Sequence, residues 1–103
     1  MTKTSLKTKV LYENQQAYER SCNFAKVVEI NGKRFKITND TGNAYSNTRI
    51  YVQTPDLTWV AIANEYDLAG TPRIQYHDYI VNKNEQMANI YKLSVEYIKK
   101  VCF

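Results

Sequence analysis

The chain has 103 residues, 44% hydrophobic and 23% charged, which is enough to bury the core of one independently folding domain without disulfide or metal staples. Its formal charge of +4 favours anionic partners such as nucleic acid, although charge speaks to association and not to fold. No apolar run reaches membrane-spanning length, and two cysteines far apart in sequence make neither a disulfide framework nor a zinc site.

The opening MTKTSLKTK lacks the apolar segment of a signal peptide, so the cytoplasm is the expected location, with Cys22 and Cys102 as reduced thiols. The expected organisation is one α+β domain over residues 1–103, with 1–5 frayed. From residue 6 to 22 a weak helical period runs through Leu11, Tyr18 and Cys22, with Glu13, Gln15, Gln16, Glu19 and Arg20 outside. An N-terminal amphipathic helix is expected there, with a short strand around residues 10–12 as the alternative.

Residues 24–38 carry the clearest local pattern. Asn31-Gly32 between two alternating runs predicts a type I′ hairpin. Pairing Ile30 with Lys33 sets Val28 opposite Phe35, Lys26 opposite Ile37 and Glu29 opposite Arg34. Phe24, Val28, Ile30, Phe35 and Ile37 then form a core face. Residues 39–47, NDTGNAYSN, read as a connection. Asp40-Thr41-Gly42 matches the triplet of a catalytic aspartate loop, but it occurs once and without an apolar strand pattern on its far side, so it reads as a turn.

A second hairpin is expected over residues 49–63, RIYVQTPDLTWVAIA, with Thr54–Leu57 as a type I turn. Taking Gln53 opposite Thr58 places Ile50, Val52, Trp59 and Ala61 on the core face. Arg49, Tyr51, Gln53, Thr58, Val60 and Ile62 fall on the other, and a slip of one residue would exchange the two sets.

Residues 64–72 read as a loop, in which Glu65 and Asp67 lack a third ligand for a cation. Residues 73–81 read as a fifth strand or an irregular approach to the last helix. His77, the single histidine, has Asp78 beside it, and neighbours on a strand point to opposite faces, so they make a poor dyad. Residues 82–103 form an amphipathic helix that packs on the sheet. Its apolar stripe is Met87, Ile90, Tyr91, Ser94, Ile98 and Val101, widened by Leu93 and Tyr97, against an outer face of Glu85, Asn89, Lys92, Glu96, Lys99 and Lys100.

Helix, three strands, helix is also the order of the double-stranded RNA-binding domain. The chain lacks that family's Gly-Pro-x-His loop, and its Lys99-Lys100 pair ends the last helix where the family needs a basic motif at the start. No family is assigned on these residues.

No spacing asks for a catalytic, metal or cofactor site, so the expected protein is not an enzyme and takes no cofactor. It is instead a small binding protein of the inhibitor or accessory type. A basic, tyrosine-bearing surface of Arg34, Lys36, Arg49 and Tyr51, with Val60 and Ile62 among them, would dock on nucleic acid or a nucleoprotein complex. The alternative is a protein–protein module or homo-oligomer that uses the same apolar and tyrosine patch.

Overall fold

The computed structural model describes residues 6–17, 22–41, 46–68 and 83–103. Five strands form one antiparallel sheet in sequence order: β1 (Thr8–Ala17), β2 (Cys22–Ile30), β3 (Lys33–Thr41), β4 (Ser46–Gln53) and β5 (Trp59–Asn64). A 3-10 turn (Glu65–Asp67) follows β5, and one helix, α1 (Lys83–Val101), closes the described chain. The α+β class expected from the sequence is what the molecule has. The stretch 73–81, expected as a strand or an irregular approach to the helix, with His77 in it, and residues 1–5, expected to fray, lie outside the described residues.

The first hairpin forms in the expected register. Ile30 pairs with Lys33, Glu29 with Arg34, Val28 with Phe35 and Lys26 with Ile37. Asn31 and Gly32 both take positive φ, 50° and 82°, as a type I′ turn requires.

The expected N-terminal helix is replaced by strand β1. After Val10 pairs with Val28, the next pair is Tyr12 with Val27, so Leu11 is an extra residue in a β-bulge. The bulge breaks the period-two pattern, which is why the stretch imitates a helical one. Pairing then continues with Glu13 opposite Lys26, joined by an ion pair at 3.2 Å.

The second hairpin is displaced by one residue from its expected register. The type I turn is present, with the Leu57 N–H donating to the Thr54 carbonyl at 2.9 Å. Leu57 itself then takes the left-handed region at φ 68°, which adds one residue to the loop. A type I turn does not match strand twist unless such a residue follows it. Gln53 consequently pairs with Trp59, Val52 with Val60 and Tyr51 with Ala61. Trp59 and Ala61 therefore share the face of Tyr51, and Val60 joins the core face with Val52. A second bulge makes Ile62 the extra residue between Ala61 and Ala63, and it packs against the core.

A threonine–aspartate cluster closes this loop. Asp56 Oδ1 accepts from the hydroxyls of Thr54 and Thr58, and these bonds hold its carboxyl below the ordinary value of 3.8. Leu57 is 71% exposed, so its side chain contributes little packing. Leu57→Gly should remove a left-handed penalty of about 1–2 kcal/mol at an entropic cost of about 0.5–1 kcal/mol. The expected result is a small gain in stability, read as a higher urea midpoint with unchanged slope.

The core face is built in rows across the strands. Val10, Val28, Phe35, Val52 and Val60 form one row; Glu13, Lys26, Ile37, Ile50 and Ala63 form the next. Helix α1 covers the middle of these rows with Met87, Ile90, Val95 and Ile98, and Leu68 joins them in the core. A helix about 10–12 Å wide cannot cover five strands spaced roughly 4.8 Å apart. The row ends accordingly stay open, with Val10 45% and Val60 47% exposed.

The helix follows its expected stripe with two changes. Val95 is buried, and Val101 lies outside the contact because the helix ends there. Ser94 is fully buried and satisfies its hydroxyl on the Ile90 carbonyl at 2.7 Å, leaving no polar atom to face the sheet. Phe103 turns back onto Phe35, edge to face, with ring centroids 6.1 Å apart.

Candidate functional site

With α1 on one face of the sheet, the opposite face carries the polar and aromatic residues of all five strands. One row crosses it completely: Tyr12, Val27, Lys36, Tyr51 and Ala61, each directly opposite the next. Alternation along β3 and β4 is what puts Lys36 and Tyr51 outward, since Phe35, Ile37, Ile50 and Val52 on either side of them face the core. Trp59 stands beside this row because its partner Gln53 is two residues from Tyr51.

Lys36 is the centre of the cluster. Its ammonium lies 4.8 Å from the Tyr51 ring centroid and 5.0 Å from that of Trp59. Among the described residues it forms no ion pair. Each such cation–ring contact is worth about 0.5–1 kcal/mol where water reaches it.

The two arginines of the expected surface are also on this face, but both meet carboxylates. Arg34 Nε is 3.9 Å from Glu29 Oε1, a long contact between half-exposed partners. Arg49 Nη1 is 3.0 Å from Glu65 Oε2 and also donates to the Thr48 carbonyl. The 3-10 turn positions Glu65, and its capping box fixes that turn: Asn64 accepts from the Tyr66 N–H while Asp67 accepts from the Asn64 N–H.

Of the six residues expected at the site, then, Arg34, Lys36, Arg49 and Tyr51 share one face. Val60 and Ile62 do not belong with them, because the added loop residue and the β5 bulge turn both towards the core side. Two members were missed. The expected register puts Trp59 in the core, and the expected helix takes in Tyr12, which only the alternative of a short strand at 10–12 would place on a sheet. The readable signal for Tyr12 is the run Val10-Leu11-Tyr12, three apolar residues that fit neither period cleanly.

Lys26 shows what this molecule does with a cation on the core face. Its ammonium sits 4.1 Å from the Tyr91 ring centroid and pairs with Glu13. Burial, and then the charge of Glu13, raise the Tyr91 phenol above its ordinary value of 10.0. A groove of about 710 Å³ between Thr8 and α1 opens on this same side, away from the aromatic row. Cys102 is a free, half-buried thiol whose ionisation burial opposes, with Lys33 acting weakly the other way. The side chain of Cys22 lies outside the described residues.

Among the described residues, no three His, Cys, Asp or Glu come together to hold a metal ion, and no helix is long and apolar enough to cross a membrane. No known family, characterised protein or solved structure matches the chain. The face itself must carry the functional argument.

Proposed function

We propose that this chain is a non-enzymatic binding protein, of the inhibitor or accessory type, that docks the outer face of its sheet onto nucleic acid or a nucleoprotein complex. The observation that carries the reading is Lys36, a cation without a carboxylate partner among the described residues, its ammonium against the rings of both Tyr51 and Trp59 on a cross-strand row. Anionic ligands with planar groups are the chemistry that answers both features. Phosphates take the ammonium and bases take the rings, with stacking worth about 1–3 kcal/mol per base. That exceeds what each ring gives the ammonium. The net charge of +4 adds long-range attraction of the same sign.

The test is light-scattering mass together with the 260/280 nm absorbance ratio, on protein purified without nuclease. Nucleic acid that stays bound at low salt and leaves as salt rises is the expected result. Arg34→Glu combined with Lys36→Glu should abolish it. Protein that binds no nucleic acid at low salt, or charge reversals that leave binding intact, would overturn the proposal.

A second reading, a protein or self-association interface, is favoured by one observation. Val10, Leu11 and Tyr12 are 45%, 39% and 53% exposed at the open edge of β1. A clean dimer indifferent to salt would select it, since apolar contacts respond little to screening. The bulge at Leu11 weighs against plain strand addition there, because bulges blunt sheet edges.

A further inference from the structure

We infer that the ligand of the outer face is a single strand laid across the β-strands, and that Lys36 leaves the Tyr51 and Trp59 rings as bases take them. The inference rests on the nucleic-acid reading above and makes it specific.

Three observations favour a single strand over a duplex. Duplex bases are stacked on one another and offer no free faces, so rings on a sheet face that no described element covers have nothing to stack on. The row from Tyr12 to Tyr51 crosses three inter-strand gaps, a platform of roughly 14 Å along which successive unstacked bases can lie. Duplex binding also leans on many phosphate contacts. This face is poor in them, because Arg34 and Arg49 already meet Glu29 and Glu65. What remains among the described residues is Lys36, with Lys9 at the β1 edge opposite Glu29, beside three rings, still the proportion of a stacking platform.

Lys36 is suited to an exchange because its ammonium ends a flexible four-carbon stem. Without ligand it rests on the two rings and shields them from water. With ligand the same ammonium reaches a phosphate beside the stacked bases, and the rings are freed at that moment.

Trp59, the single tryptophan of the chain, reports the event directly. The experiment titrates the protein with oligothymidylate of about 10 nucleotides and with a duplex of equal length, following Trp59 emission at low salt. Single-strand binding should change the emission and be at least about tenfold tighter than duplex binding. Tyr51→Leu and Tyr12→Leu should each weaken it roughly tenfold, with thermal midpoints near that of the parent because neither ring is in the core. Lys36→Met should alter Trp59 emission before any ligand is added and reduce the salt slope by about one contact.

Equal affinity for duplex with an unchanged Trp59 signal would overturn the single-strand inference and leave nucleic-acid docking standing. Ring variants that bind like the parent would do the same. Binding of neither probe at low salt would remove the docking proposal itself.

Discussion

Phe35→Ala should cost about 3–5 kcal/mol, a large part of the 5–15 kcal/mol that holds a small domain together. Phe35 is fully buried and occupies the middle of the central row, with Val28 and Val52 directly opposite it on the neighbouring strands. Phe103 meets it edge to face from beyond the end of α1. Truncation therefore opens a cavity at the place where three strands and the end of the helix converge, and backbone pairing on both sides prevents collapse into it. Urea unfolding should show the loss as a lower midpoint with unchanged slope. A cycle with Phe103→Ala should return a coupling of about 0.5–1.5 kcal/mol for the ring pair. The contrast is Tyr51→Leu, one row away on the opposite face, which should cost no more than about 1 kcal/mol, the worth of its ring contact with Lys36. If Tyr51→Leu destabilises as much as Phe35→Ala, the assignment of faces is wrong.

The sequence was legible wherever turn chemistry set the register. Asn31-Gly32 admits one tight turn, and every pair of the β2–β3 ladder follows from it. Leu57 gives no such warning, because leucine seldom takes positive φ and nothing in Thr-Pro-Asp-Leu announces that it will. One added residue was enough to exchange Trp59 with Val60 between the two faces. At β1 the obstacle was exposure. An edge strand with a bulge at Leu11 shows no clean buried stripe, and the weak spacing of Leu11, Tyr18 and Cys22 filled the gap with a helix. The candidate site was legible to the same extent. Lys36 and Tyr51 come from strands whose own alternation was clear, whereas Trp59 and Tyr12 depend on the two places where alternation fails.

The two bulges have a common effect on this surface. Each places an extra residue near an edge of the sheet, Leu11 in β1 and Ile62 in β5. Bulges increase local twist and bend the strand that carries them. The central strands between them remain regular, so the aromatic row has a steady support while the edges are turned from easy pairing with other chains.

Glu65→Gln should act on stability and on binding with opposite signs. Glu65 Oε2 accepts the Thr48 N–H at 3.0 Å and Arg49 Nη1 at 3.0 Å, tying the 3-10 turn to the end of β4. Thr48 is itself buried and donates its hydroxyl to Asn39 at 3.1 Å, so the contact reaches into the polar end of the core. Glutamine keeps the shape and an acceptor oxygen but loses the charge that strengthens both bonds. The Arg49 bond is partly exposed and screened, so its share is below about 1 kcal/mol. With the more sheltered N–H bond, the expected loss is about 1–2 kcal/mol. The same change leaves Arg49 without a carboxylate among the described residues, on the face proposed to meet nucleic acid. Single-strand affinity at low salt should rise, and the log–log salt slope should steepen by about 0.7 for one added phosphate contact. A variant that loses stability with no change in slope would place Arg49 outside the binding surface. One that gains slope at no cost in stability would mean that the carboxylate restrains Arg49 without supporting the fold.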